Sequence, residues 1–162
     1  NLPDFRSGER TFQLLTQVAG RAGRGERPGR VIIQTHYPDH PAVCFACRHD
    51  VTAFLEEELV FRRAFAYPPA ARLALLRFES KSDTAARRAA EAAAAAIGTP
   101  PDGVRLRGPA PSPIERIREH WRWQILVSAR NRQTLRAVLD LSEAPTPKSV
   151  RRIVDVDPLS TL

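Results

Sequence analysis

Methionine is missing from all 162 residues, and lysine occurs only at Lys81 and Lys148. A chain that starts at Asn1 without methionine is expected to be an internal piece of a longer protein. The two lysines follow Ser80 and Pro147, so no G-x-x-x-x-G-K-[ST] loop exists to cradle phosphates. No D-E-x-H type box is present to hold magnesium. These absences exclude an ATPase that works alone. No apolar run reaches the roughly 18 residues of a membrane span, and no signal peptide is expected. The expectation is a soluble, cytoplasmic protein without a membrane partner.

Cysteine is almost as scarce. Cys44 and Cys47 form a C-x-x-C with His49 two residues on, the possible opening of a zinc knuckle. A closed zinc site needs four ligands, and His36, His40 and His120 have no matching spacing. Following Pro41, the segment reads instead as a helix start on which both cysteines share a face as small apolar fillers. A disulfide three residues apart on a helix is geometrically poor. No metal is expected here.

What the chain has is arginine. Twenty-five basic residues against 18 acidic give a net charge of +7. Residues 1–68 carry nine basic and eight acidic side chains; residues 69–162 carry sixteen and ten. A basic second half suits a polyanion, phosphate backbones first. The alternative is that arginine follows a GC-rich genome and the charge serves solubility.

The most distinctive stretch is Gln17-Val18-Ala19-Gly20-Arg21-Ala22-Gly23-Arg24. Phe12, Leu14, Leu15 and Val18 precede Arg21 and Arg24 at helical spacing, so a helix over 11–21 would face a core and release its arginines at its end. Glycines there allow a sharp turn and close ligand approach. Paired guanidiniums beside such a turn can grip a polyphosphate; the bland alternative is a solvated Arg/Gly turn.

Q-x-x-G-R-x-G-R resembles the last motif of superfamily-two helicases. Further matches lie at Asp4-Phe5-Arg6 with Glu9-Arg10, at Glu26 to Thr35 with the His-Tyr-Pro-Asp-His-Pro that follows, and at Tyr67-Pro68-Pro69. They continue at Gly108-Pro109-Ala110-Pro111, Trp121-Arg122-Trp123-Gln124 and Asp155-Val156-Asp157-Pro158. Colinear over almost the whole chain, they resemble the primosomal protein N′ family, the bacterial replication-restart helicases. The resemblance implies a carboxy-terminal piece of an ATP-dependent 3′-to-5′ DNA helicase that starts primosome assembly. Arg21 and Arg24 would act as arginine fingers, and Gln17, Gly20 and Gly23 would contribute to the nucleotide site. ATP and magnesium would be held by the other motor lobe, and the family's zinc would lie in another region. Expected partners are DNA, single-stranded-DNA-binding protein and primosome proteins. A non-enzymatic nucleic-acid-binding module of a degenerate relative and another superfamily-two motor are the competing readings.

The expected fold is α+β, an α/β remnant first. Residues 1–48 would end a RecA-like second motor lobe, with a buried strand over 30–35. Residues 49–68 would form a connecting helix striped by Val51, Phe54, Leu55, Phe61 and Phe65, stopped by Pro68. Residues 1–68 are not expected to fold without the rest of their sheet. Residues 69–162 predict a ferredoxin-like βαββαβ domain. Its strands lie over 72–79, 104–108, 121–129 and 150–156; one helix follows an N-cap offered within Ser82-Asp83-Thr84 and runs to Ile97, and a second lies over 130–141. An Arg/Glu-rich loop would join the middle strands.

By strand parity Trp121, Trp123, Ile125 and Val127 share one face, and His120, Arg122, Gln124 and Leu126 the other. The tryptophans are either core or platforms for a single-stranded base. Arg116, Arg118 and Arg122 are the candidate DNA contacts. The resemblance assigns His120 and Gln124 to a pocket for the acidic tail of single-stranded-DNA-binding protein. His120 stands where the family carries arginine, so a permanent charge becomes a titratable one.

Overall fold

The computed structural model describes residues 4–22 and 29–161. The chain forms two compact units, Asn1–Phe61 and Arg62–Leu162. The boundary falls inside the third helix.

In the first unit, α1 (Ser7–Ala22), α2 (Pro41–Arg48) and the start of α3 (Val51–Phe65) enclose a small aromatic core. Phe12 and Phe54 stack with ring centroids 4.0 Å apart, Phe45 meets Phe54 edge-on, and Ala42 and Ala46 let the helices approach. Both later helices start on side-chain caps that satisfy amides left over in the first turn. His40 Nδ1 accepts from the Ala42 amide, and Asp50 Oδ1 accepts from the Ala53 amide. The buried Asp4 carboxylate is held by Arg10 at 3.0 Å.

Three expectations for this half fail. Residues 30–35 form no strand, and Ile32 is 81% exposed. A β-branched run becomes a strand only where a neighbour takes its backbone hydrogen bonds, and the first unit has no described strand to do so. Of the apolar stripe on α3, Phe54 alone is buried, while Val51, Leu55, Phe61 and Phe65 are exposed. Helical periodicity marks a face that can be buried, and the aromatic core covers only one turn of it. Cys47 is exposed rather than packed, because Ala42 and Ala46 occupy the inward face of α2.

The second unit runs β1 (Arg72–Ser80), α4 (Asp83–Ile97), β2 (Val104–Ile117), β3 (His120–Ala129), α5 (Arg132–Leu141) and β4 (Arg151–Val156). Its antiparallel sheet has the order β2-β3-β1-β4, so consecutive strands β1 and β2 are separated by β3. That is the expected split βαβ arrangement. Ala74, Leu76 and Phe78 of β1 and Ile125, Val127 and Ala129 of β3 pack beneath both helices. Ala86, Ala89, Ala90 and Ala93 keep α4 close to the sheet, and Leu135 and Val138 complete the core from α5. Burying Leu76 or Phe78 contributes about 1.5–3 kcal/mol each. Ser82 caps α4 through the Ala85 amide, and Gly98 ends it at a φ of 62°.

The loop expected between the middle strands is strand instead. β2 continues to Ile117 and turns back through Arg118 and Glu119, which have φ of 46° and 65°. Two residues in the left-handed region make a type I′ hairpin turn, whose twist matches antiparallel strands. The prolines at 109, 111 and 113 obscured this strand. They are tolerated because β2 is an edge, and its pairing with β3 shifts register between Arg107 and Ala110 and between Pro111 and Arg116. Arg105 and Arg107 of β2 donate to the carbonyl oxygens of Ala64 and Phe65, holding the end of α3.

A basic cleft as candidate nucleic-acid interface

Strand register builds a site that linear order does not suggest. On the sheet face away from the helices, Glu79 of β1 stands opposite Arg122 of β3 on one side and Arg151 of β4 on the other. Glu79 Oε1 lies 3.4 Å from Arg122 Nε, and Glu79 Oε2 accepts from Arg151 Nε at 3.2 Å and from its Nη2. Arg77, two residues before Glu79, shares this face. Burial, and next the Arg122 guanidinium, push the Arg77 guanidinium below its ordinary value.

This row floors a cleft of about 900 Å³. One wall is the hairpin turn with Ile117, Arg118 and His120; the other is the approach to β4, Lys148 to Val150. Glu79 is the single carboxylate among the described residues lining it.

The expected DNA-contact residues separate. Arg116 lies on β2 with its guanidinium 5.2 Å from the Trp121 ring centroid, and Arg118 is exposed at the turn. Arg122 is buried, its side chain only 6% exposed, with Nη1 donating to the Ile114 carbonyl. The tryptophans divide as well. Trp123 packs on the core and donates to Asp83, while Trp121 sits at the hairpin under Arg116. His120 lines the cleft with Nδ1 2.9 Å from the Arg118 carbonyl oxygen, and Gln124 Oε1 accepts from Ser112 Oγ at 3.0 Å.

In the first unit, Gln17, Gly20 and Arg21 lie within α1, Arg21 exposed in its last turn. Gly23 and Arg24 lie outside the described residues. No group of three or more His, Cys, Asp or Glu able to hold a metal ion occurs among the described residues. No described helix is long and apolar enough to cross a membrane.

Sequence reasoning missed Arg77, Glu79, Lys148 and Arg151. Only Arg77 and Glu79 share a strand, and the pairing that gathers the rest becomes visible once β1 is known to be central.

Fold and cleft define a small α+β domain of the split βαβ type with a basic cleft on the sheet face away from its helices. The family model described as "Primosomal protein N C-terminal domain" matches residues 63–159. The chain belongs to that family. It is 42% identical over 161 residues to the replication restart protein PriA of Synechocystis sp., covering 99% of this chain and 19% of the relative. The Bacillus subtilis protein of the same name is 41% identical over 143 residues, 86% of this chain and 17% of the relative. The Haemophilus influenzae protein is 38% identical over 159 residues, 96% and 22%. The chain spans about a fifth of the length of these relatives.

Proposed function

We propose that this chain is the carboxy-terminal part of an ATP-dependent 3′-to-5′ DNA helicase that restarts replication and initiates primosome assembly. Residues 1–48 belong to the end of a RecA-like second motor lobe, residues 49–68 connect, and residues 69–162 bind DNA and partners. Arg21 and Arg24 act on ATP and magnesium held elsewhere in the whole protein, with Gln17, Gly20 and Gly23 beside them. His120 and Gln124 contribute to a surface for the acidic tail of single-stranded-DNA-binding protein.

The observation that carries the DNA-binding part is the hairpin of β2 and β3. It presents Arg116 stacked on Trp121 and Arg118 at an exposed turn beside a cleft lined by four arginines, one lysine and one carboxylate. Such a surface gains affinity by releasing counterions from phosphates, and its binding is accordingly salt-dependent. The test is anisotropy of a labelled single-stranded oligodeoxynucleotide titrated with the 162-residue chain at several NaCl concentrations. Binding should weaken steeply with salt, and Arg116→Ala and Arg118→Ala should each make the slope shallower by about 0.7. Absent or salt-independent binding would reject the reading.

A further inference from the structure

Glu79 occupies an odd position for a carboxylate. It sits at the centre of a basic cleft, its side chain 12% exposed and gripped from both neighbouring strands. The ion pairs offset what its burial costs. They also neutralise Arg122 and Arg151, the two guanidiniums nearest the floor.

We infer that the cleft floored by Arg77, Arg122 and Arg151 and flanked by Lys148 takes an internucleotide phosphate, and that Glu79 is its internal counter-ion, holding affinity down. This rests on the DNA-binding reading above, names the phosphate's seat, and adds a residue that opposes binding. Three independent features support it. Arg122 Nε is paired with Glu79 Oε1 at 3.4 Å without hydrogen-bond geometry, so the ion pair on the cleft floor is a loose one. Burial first, and then the Arg122 guanidinium, disfavour the charge on Arg77, and Glu79 and Asp155 offset this in part; an incoming anion would act in the same sense as those carboxylates. Cations contributed by β1, β3, β4 and the exposed Lys148 approach one open trough.

The floor of this trough fits a phosphodiester, while His120 on its wall belongs to the surface proposed for the acidic tail. Forked guanidiniums match phosphate oxygens two at a time. On binding, the phosphate takes up Arg151 donors that now serve Glu79, while Glu79 stays on the floor as a fixed repulsive charge.

The measurement is the same titration of a labelled single-stranded oligodeoxynucleotide across NaCl concentrations, with Glu79→Gln, Lys148→Ala and Arg116→Ala compared. Glu79→Gln keeps the shape and removes the charge; it should tighten binding at low salt by roughly three- to tenfold and steepen the salt dependence. Lys148→Ala, at an exposed rim position, should weaken binding and flatten the slope by about 0.7. If Glu79→Gln fails to fold by thermal melting, Lys148→Glu decides, with weaker binding than Lys148→Ala expected. Unchanged or weaker binding by folded Glu79→Gln, or no effect of Lys148 substitution, overturns the inference; the DNA-binding reading survives if Arg116→Ala still weakens binding and falls if it does not.

Discussion

Trp123 Nε1 donates to Asp83 Oδ1 at 2.8 Å, tying the middle of β3 to the first turn of α4 across forty residues of chain. The bond places a carboxylate at a helix N-terminus, where it is favoured, and satisfies an indole N–H whose ring packs on the core. Arg87 covers the same ring at 5.7 Å.

From that bond, Trp123→Phe should lower stability by about 1 kcal/mol, since the ring remains and the hydrogen bond goes. Asp83→Ala should cost a similar amount, about 1 kcal/mol. Because the two substitutions break one contact, the double variant should cost less than their sum. Urea denaturation of all four chains measures this, and strict additivity would mean that the bond contributes nothing.

Gly108 sits where β2 first slips register against β3, with φ of 105°. A Cβ there would meet the Gln124 carbonyl oxygen at 2.6 Å, backbone that cannot swing aside. Gly108→Ala is expected to destabilise the chain by about 2 kcal/mol or more, combining a disfavoured φ with a steric clash. Gly103→Ala is the comparison: its φ is 81°, but the nearest atoms belong to the Arg130 side chain at 3.6 Å. Its cost should be the smaller, about 1 kcal/mol. Equal midpoints for the two variants would show that strand contact at Gly108 is not the limiting feature.

The difference between what could and could not be read in advance follows the range of each interaction. Ser82 and Gly98 bound α4 because caps are local chemistry, and the alternation of Trp121 to Val127 sorted β3 faces because parity is local too. β2 was cut short at its prolines, since whether proline is tolerated depends on which strand is the edge. The α3 stripe misled for a related reason: periodicity shows which face can be buried, not how much opposing surface exists. Of the candidate site, Arg116 and Arg118 were visible as a basic cluster. The row of Arg122, Glu79 and Arg151 was not, because cross-strand pairing brings together Glu79 and Arg151, 72 residues apart in order.

A second group on β3 bears on partner binding. Ser112 fixes the Gln124 amide oxygen, leaving the amide N–H groups to donate, and His120 lies two positions back along the same strand face. If this face receives an acidic tail, His120→Arg should strengthen binding of a labelled tail peptide by the full-length protein, since a forked cation replaces an imidazole ring. Gln124→Ala should weaken it severalfold, the loss of roughly one hydrogen bond to a charged group. Peptide titrations that return the wild-type affinity for both variants would remove this face from partner recognition.

Arg21 is exposed in the final turn of α1, whose other face is anchored through Phe12, so its guanidinium is carried on a fixed element. Arg24 follows three residues later in sequence. In the proposed whole protein these side chains meet charge that develops as the terminal phosphoryl group is transferred, and such interactions are worth most in the transition state. Arg24→Ala in the full-length protein should therefore lower DNA-stimulated ATP turnover on the order of 10³-fold. Nucleotide affinity, measured with a labelled ATP analogue, should change far less. Arg21→Ala should act in the same direction, and the double variant should fall short of the product of the single losses because both act on one reaction centre. A turnover loss matched by an equal loss of nucleotide affinity would assign the arginines to ground-state binding. Wild-type turnover in Arg24→Ala would return the Gly-Arg segment to the solvated turn that composition alone allows.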